Sequence, residues 1–113
     1  MMMTSYIALD LETTGLESKT EKITETAALK VIDGTIRERF VTLINPGRPI
    51  SEKITQLTGI TDEMVRTAPL MENVIGEFLA FCGGLPLLGH NILFDYRFLK
   101  QAAVNSHLEC EFE

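Results

Sequence analysis

Two acidic residues stand close together near the start of the chain, in the segment Asp10-Leu11-Glu12-Thr13-Thr14-Gly15. The apolar run YIALDL at positions 6–11 predicts a buried strand, and alternate side chains of a strand share one face. Asp10 and Glu12 should therefore project together, where unit charges about 4 Å apart repel by about 4 kcal/mol at an effective dielectric of about 20. Such a pair suits Mg²⁺ or Mn²⁺, which prefer oxygen ligands. The alternative is that Asp10 caps the strand end and Glu12 is solvated.

A third acidic residue, Asp95, ends the segment His90-Asn91-Ile92-Leu93-Phe94-Asp95. Asn91 is a candidate N-cap for a helix over residues 92–104, which places Asp95 in the first turn, where the helix dipole favours an anion. Many aspartates at such positions are merely solvated. If the strand before this helix pairs with the first strand, however, Asp95 reaches the same sheet edge as the first two acids. Ligands of α/β proteins bind at such edges.

The remaining pattern predicts the elements that must position these side chains. Asp33-Gly34-Thr35 is a hairpin signal between two apolar strands, which should therefore be antiparallel. After Asn45-Pro46-Gly47 the apolar spacing becomes helical. The predicted strands are residues 23–32, 36–44 and 85–88, and the predicted helical segments are 50–57 with Gly59 as C-cap, a short turn at 61–63, 69–82 and 92–104. Together they predict an α/β mixed sheet.

Length and charge limit the class of protein. The chain has 113 residues and a net charge of −6, which argues against a basic surface that binds DNA phosphates through Lys and Arg. An acidic chain can still act on nucleic acid if metal ions stand between its carboxylates and the phosphates. Cys82 and Cys110 lack metal-ligand spacing and indicate reduced thiols. With neither a leader pattern nor an apolar stretch of about 20 residues, we expect a cytoplasmic protein without a membrane span.

These motifs resemble the DEDD family of 3′→5′ exonucleases, and within it the group of DNA polymerase III epsilon-like proofreading subunits and ribonuclease T. The resemblance covers residues 6–99 and rests on the Asp10–Gly15 segment, on Leu57-Thr58-Gly59-Ile60-Thr61 and on the His90–Asp95 segment. It implies a ribonuclease-H-like fold, in which three antiparallel strands are followed by a parallel strand with flanking helices. It also implies hydrolysis of a terminal phosphodiester by two metal ions, Mg²⁺ or Mn²⁺.

The resemblance assigns a role to each matched residue. Asp10 would bridge both ions, Glu12 would hold the ion that activates the attacking water, and Asp95 would hold the second ion. One ion of such a pair lowers the pKa of the water and the other stabilises the leaving oxygen. The residues that would contact the terminal nucleotide are Thr13, Thr14, Leu57, Thr58 and Phe94.

The third motif of this family, a general-base His followed five residues later by a metal-binding Asp, has no counterpart here. His107 is followed at that distance by Phe112, while His90 belongs to the second motif and indicates a hydrogen-bonded structural histidine. We therefore predict that residues 1–113 form one incomplete, C-terminally truncated exonuclease-type domain, the N-terminal two-thirds, with little activity alone. The missing strand would leave an open sheet edge that favours a homodimer.

The leading hypothesis is a metal-dependent 3′→5′ exonuclease domain that acts on single-stranded or frayed 3′ ends of DNA, with a polymerase subunit as candidate partner. A non-catalytic module that binds polymerase partners or nucleic-acid ends would explain the absent motif without truncation, and then the three acids need not converge. An RNA-trimming exoribonuclease is a third hypothesis, because no residue in the sequence separates DNA from RNA.

Overall fold

A computed structural model describes residues 4–108, which form a four-stranded mixed sheet covered by helices. The strand order is β3-β2-β1-β4, with β1, β2 and β3 antiparallel and β4 parallel to β1. The strands are β1 (Tyr6–Thr13), β2 (Ile23–Ile32), β3 (Thr35–Leu43) and β4 (Leu87–Leu88), and the helices are α1 (Glu52–Thr58), α2 (Asp62–Val65), α3 (Ile75–Cys82) and α4 (Ile92–Asn105). The predicted mixed sheet, three antiparallel strands and then a parallel one, is confirmed.

The predicted hairpin between β2 and β3 is also confirmed. Asp33 and Gly34 both have left-handed backbones, with φ of 50° and 78°. This is the conformation that a two-residue turn needs if its twist is to match that of the flanking strands. Glycine adopts it without strain, and aspartate tolerates it better than most residues do.

The main core lies between one face of the sheet and the helices α3 and α4. Ile7, Leu9 and Leu11 point from β1 into this core, where Phe78 of α3 and Leu99 of α4 are fully buried. The helices α1 and α2 instead pack in a second, smaller cluster around Ile50, Ile60 and Val65. Burial on one face of β1 leaves the alternate residues of that strand on the opposite face.

Three predicted details are wrong. The helix predicted over residues 69–82 is divided, because Leu70 makes a strand-like bridge with Asn45, a 3₁₀ turn follows at Met71–Asn73, and α3 begins only at Ile75. The strand predicted over residues 85–88 is reduced to Leu87–Leu88. Pro86, just before it, lacks the N–H that a strand ladder requires.

The third detail concerns Asn91, which occupies the N-cap position of α4 but makes no capping hydrogen bond through its side chain. Its backbone is left-handed, with φ of 51°, a conformation that asparagine tolerates. The residue therefore serves to turn the chain rather than to cap the helix.

Of the two thiols, Cys82 is buried in the main core, and Cys110 lies outside the described residues. Within residues 4–108, no helix has the length and apolar character needed to cross a membrane.

Two threonines of β2 should lower the free energy of unfolding, and this can be tested by mutation. Among residues 4–108, the hydroxyls of Thr24 and Thr26 are buried and have no hydrogen-bond partner. A buried polar group without a partner costs about 1–3 kcal/mol of desolvation. We therefore expect Thr26→Val to leave the free energy of unfolding unchanged or to raise it by up to about 1 kcal/mol, measured by urea denaturation.

The matched control is Thr14→Val. The Thr14 hydroxyl donates to the Glu21 carboxylate at 2.8 Å and accepts from the Lys22 N–H at 3.0 Å. Its removal should cost about 1–3 kcal/mol. A Thr26→Val variant as destabilised as Thr14→Val would show that the buried hydroxyl in β2 has a stabilising partner.

Candidate active site

The first part of the site is set by the alternation of β1. Because Leu9 and Leu11 are buried in the core, Asp10 and Glu12 lie together on the other face of the sheet. Asp10 is exposed and stands opposite Ala27 of β2, and Glu12 is half-buried. The predicted pair of carboxylates on one face of a strand is therefore present.

The second part is set by the chain segment that runs along the other edge of β1. The Ile7 N–H donates to the Pro86 carbonyl at 2.8 Å, and Leu87 pairs with Ile7 in the parallel ladder. At Gly89 the backbone comes so close to β1 that an added Cβ would lie 2.5 Å from the Leu9 carbonyl oxygen. This close approach places the start of α4 next to the end of β1.

Asp95 completes the arrangement. It lies in the first turn of α4, its residue surface is only 4% exposed, and its carboxyl lies close enough to the Leu11 backbone N–H for that group to lower its pKa. This N–H stands between Asp10 and Glu12 in the sequence, so the third acid reaches the strand that carries the other two. The structure thus brings the three predicted acids to one edge of the sheet.

The electrostatics show that these carboxyls act on one another. The pKa of Asp95 is raised to about 6, first by burial and next by the charge of Asp10, with a further contribution from Glu12. The Leu11 N–H and the charge of His90 oppose this rise. The pKa of Glu12 is also raised, by burial, by Asp10 and by Glu25. Close carboxylates and a dry environment both disfavour the charged form.

The donor set fits a hard divalent cation. Ion pairs of the described residues, Lys30 with Glu38 and Arg48 with Glu21, involve none of the three acids. Within residues 4–108, no group of three acidic, His or Cys side chains forms a ready metal cage. Mg²⁺ commonly binds through one or two carboxylates, several waters and substrate phosphates, so it does not require such a cage. Asp10 with either Glu12 or Asp95 supplies this kind of ligand set.

The two threonines after Glu12 are engaged within the protein. The Thr13 hydroxyl donates to the Gly15 carbonyl at 2.7 Å. Thr14 is buried, with its hydroxyl bonded to Glu21 and to the Lys22 N–H. Their contact with a nucleotide stays a prediction, and these bonds show that both hydroxyls also fix the backbone beside the carboxylates.

The other predicted contact residues lie on two different helices. Phe94 is half-buried beside Asp95, and its ring meets that of Phe98 with centroids 5.0 Å apart. Leu57 is 74% exposed on α1. The Thr58 hydroxyl donates to the Ile54 carbonyl within the same helix, at 2.9 Å. Since α1 packs in the smaller cluster, the described contacts do not join Leu57 or Thr58 to the carboxylates.

Three residues of this region were not singled out for the site by sequence reasoning. Glu25 stands directly opposite Glu12 on β2, and the register of the β1–β2 pair would have been needed to find it. Gly89 is required by the close approach to Leu9, which only the strand order reveals. His90 is exposed and close enough for its charge to act on Asp95, unlike the structural histidine that the sequence suggested.

A cavity of about 230 Å³ lies elsewhere, against the second half of α4. Its lining includes Ile44, Phe98 and Gln101 but none of the three acids. We place the chemistry at the carboxylates rather than in this cavity, because the charged groups that perturb one another lie there.

Comparison with known proteins identifies close relatives. A family model described as an exonuclease, RNase_T, matches residues 7–111. The DNA polymerase III PolC-type of Thermotoga petrophila is 43% identical over 96 residues, which is 85% of this chain and 7% of that protein. The PolC-type of Bacillus subtilis is 44% identical over 98 residues, which is 87% of this chain and 7% of the relative. The chain therefore spans less than a tenth of these polymerases.

Solved structures agree on the fold. The apo form of exonuclease I superposes with a TM-score of 0.81 at 17% identity, covering 96% of this chain and 26% of that one, which shows the fold alone. Exonuclease X in complex with 5′ overhanging duplex DNA gives a TM-score of 0.71 at 35% identity, covering 82% of this chain and 52% of that one.

The raised pKa of Asp95 predicts how stability depends on pH. Without metal, the carboxyl is protonated in the folded chain up to about pH 6 but ionises near its ordinary value of 3.8 when unfolded. Its contribution to stability is therefore fully present below pH 3.8 and is lost as the pH rises to about 6. In EDTA, Asp95→Asn should be more stable than the parent by about 2–3 kcal/mol at pH 7.5 and equal to it near pH 4. An advantage that is the same at both pH values would contradict the assigned pKa.

Gly89→Ala tests the close approach that positions Asp95. The new Cβ must push the Leu9 carbonyl away, which should lower the free energy of unfolding by about 1–3 kcal/mol. Gly76→Ala is the control, because among the described residues its Cβ would meet Leu108 alone, at 3.8 Å, and alanine favours the helix by about 0.5–1 kcal/mol. Equal effects of the two substitutions on thermal unfolding would show that Gly89 is not constrained by β1.

Proposed function

The chain belongs to the exonuclease family whose model spans residues 7–111, and from this membership we propose a metal-dependent 3′→5′ exonuclease domain that removes nucleotides from DNA ends. The observation that carries the proposal is the buried Asp95 carboxyl, held at the Leu11 N–H beside Asp10 and Glu12. A DNA substrate is supported by relatives named as DNA polymerases and by exonuclease X, which was solved with DNA.

Each acid has a part in the proposed reaction. Asp10, the exposed member of the three, would bind both divalent ions, and Asp95 would hold the second from its buried position. Glu12, on the same face of β1 as Asp10, would hold the ion that activates the attacking water and would orient that water. The bound ions, Mg²⁺ or Mn²⁺, would lower the pKa of that water and stabilise the leaving oxygen.

This mechanism also accounts for a nuclease with a net charge of −6. Carboxylates and phosphates repel, so substrate binding at this edge depends on divalent cations. The proposed activity should therefore be lost in EDTA without unfolding the chain.

We also propose that this chain is only part of a complete catalytic unit. The sequence holds no counterpart of the third motif, the general-base His with its Asp, so we propose that the isolated chain is inactive or weak. General acid–base groups alone contribute about 10²–10⁴-fold to enzymatic rates. A polymerase as the wider assembly is proposed from the names of the PolC-type relatives, and a cytoplasmic location stays a prediction from the sequence.

A homodimer through the open sheet edge also stays a prediction. Strand β4 offers only Leu87 and Leu88 for pairing. Beyond them the Leu9 carbonyl is covered by Gly89, and the Leu11 N–H by Asp95. The free edge is thus shorter than the predicted strand implied, and light scattering across protein concentrations measures whether it associates.

Experiments can distinguish two other functions from the proposed one. A non-catalytic module that binds polymerase partners or nucleic-acid ends would not need divalent ions at the three acids. An RNA-trimming exoribonuclease would need them but would release nucleotides faster from RNA than from DNA.

Mn²⁺ should raise the melting temperature of the chain. A ligand that binds only the folded state stabilises it by RT ln(1 + [L]/Kd), which is about 2.7 kcal/mol at 100 times Kd. At pH 7.5 and saturating Mn²⁺ we expect an increase for the parent chain and none for Asp10→Asn or Asp95→Asn. Glu38→Gln, on the far side of the sheet, is the control and should respond like the parent.

The direction of cleavage is tested with oligonucleotides labelled at the 5′ end. For the isolated chain, the expected result is at most slow stepwise shortening from the 3′ end in Mn²⁺, absent for Asp10→Asn; rapid shortening would contradict the proposal that this chain alone is inactive or weak. Comparison of DNA and RNA versions gives the substrate. A melting temperature indifferent to Mn²⁺, together with no shortening of either strand, would instead support the binding module.

A further inference from the structure

The loop between β1 and β2, residues 14–22, is closed at its neck by hydrogen bonds. The Thr14 N–H donates to the Lys22 carbonyl at 2.8 Å, and the Lys22 N–H donates to the Thr14 hydroxyl at 3.0 Å. Inside the loop, the Glu21 N–H donates to the Glu17 carbonyl at 2.8 Å. The loop leaves β1 immediately after Glu12 and Thr13, so its conformation sets the backbone beside the carboxylates.

Glu21 holds this loop through three contacts. Its Oε1 accepts a hydrogen bond from the Thr14 hydroxyl at 2.8 Å and one from Arg48 Nη1 at 3.3 Å. Its carboxylate also packs on the backbone of Gly15, where an added Cβ would lie 2.5 Å from Glu21 Oε2. Arg48 comes from the segment between β3 and α1. We call the contacts of Glu21 with Thr14 and Arg48 the clasp, and it connects the loop to a part of the chain that is distant in sequence.

The core contributes little to this loop. Leu16 is its single large apolar residue and is 86% exposed. An isolated surface ion pair is worth only about 0–1 kcal/mol, but here the same carboxylate also closes the loop and fills the space beside Gly15. Backbone hydrogen bonds together with the polar contacts of the Glu21 side chain, rather than apolar burial, therefore fix the conformation of the loop.

We propose that Glu21, held by Thr14 and Arg48, is a positioning residue that fixes the backbone of residues 13–15 for binding the terminal nucleotide. The inference rests on the proposed function and extends it to residues outside the three acids. A loop ordered before binding loses less conformational entropy when the substrate arrives. Glu21 itself does not touch the reacting atoms.

The test compares Glu21→Ala with Glu38→Ala, which removes the other ion pair, Lys30 with Glu38, without touching the loop. Ca²⁺ replaces Mn²⁺ in the binding measurement to suppress cleavage. We expect Glu21→Ala to weaken binding of a fluorescent single-stranded DNA about fivefold to tenfold. Affinity for Mn²⁺, measured by paramagnetic resonance, should change less than twofold, and Glu21→Gln, which keeps an oxygen acceptor, should recover part of the DNA affinity.

A second measurement does not depend on nucleic acid. Lys19 lies in the loop, so opening of the clasp should speed tryptic cleavage after Lys19 in Glu21→Ala but not in Glu38→Ala. Unchanged cleavage, DNA affinity equal to that of Glu38→Ala, or a parallel loss of Mn²⁺ affinity would each overturn the inference. If the parent chain binds no DNA, the proposed function fails, and faster cleavage of Glu21→Ala would then support the clasp without a role in DNA binding.

Discussion

The arrangement of this protein depends on the approach of the Asp95 carboxyl to the Leu11 backbone N–H, which lowers the pKa of that carboxyl. Strand β4 ends at Leu88, so β1 extends beyond its parallel partner. A backbone N–H inside the molecule needs an acceptor, and here the carboxyl at the start of α4 lies beside it. The same contact joins two chain segments that are far apart in sequence and brings a third acid to the strand that carries Asp10 and Glu12.

This contact places an acceptor beside the Leu11 N–H, but the charged form of the Asp95 carboxyl is disfavoured there. The N–H gains a charged acceptor, but the carboxyl is buried beside two like charges, and its pKa rises to about 6. The fold thus holds an arrangement that is unfavourable for the protein alone and favourable for a divalent cation. Local cost of this kind is typical of functional sites, where stability is given up for chemistry. The chain belongs to an exonuclease family, and a divalent cation held at these carboxyls would serve the exonuclease reaction.

Features set by local sequence were predictable. The apolar alternation around Asp10 and Glu12 determines which face they share, and the Asp33-Gly34 turn determines the hairpin. Features that depend on distant contacts were not. The short β4 results from Pro86 and the close approach at Gly89, and the division of the helix at residues 69–82 results from pairing between Leu70 and Asn45. Likewise the pairing of Glu25 with Glu12 follows from strand register. The motifs named the three acids, but only the fold shows that Asp95 is bound to the backbone of the strand between the other two.

The carboxyls of Asp10, Glu12 and Asp95 should form one cation site at the end of β1. A crystal structure grown with Mn²⁺ and measured by anomalous scattering tests it most directly. We expect an anomalous peak within coordinating distance of Asp10 and next to Asp95, with the Asp95 carboxyl still beside the Leu11 N–H. Manganese bound only elsewhere, or an Asp95 side chain turned away from β1, would contradict it.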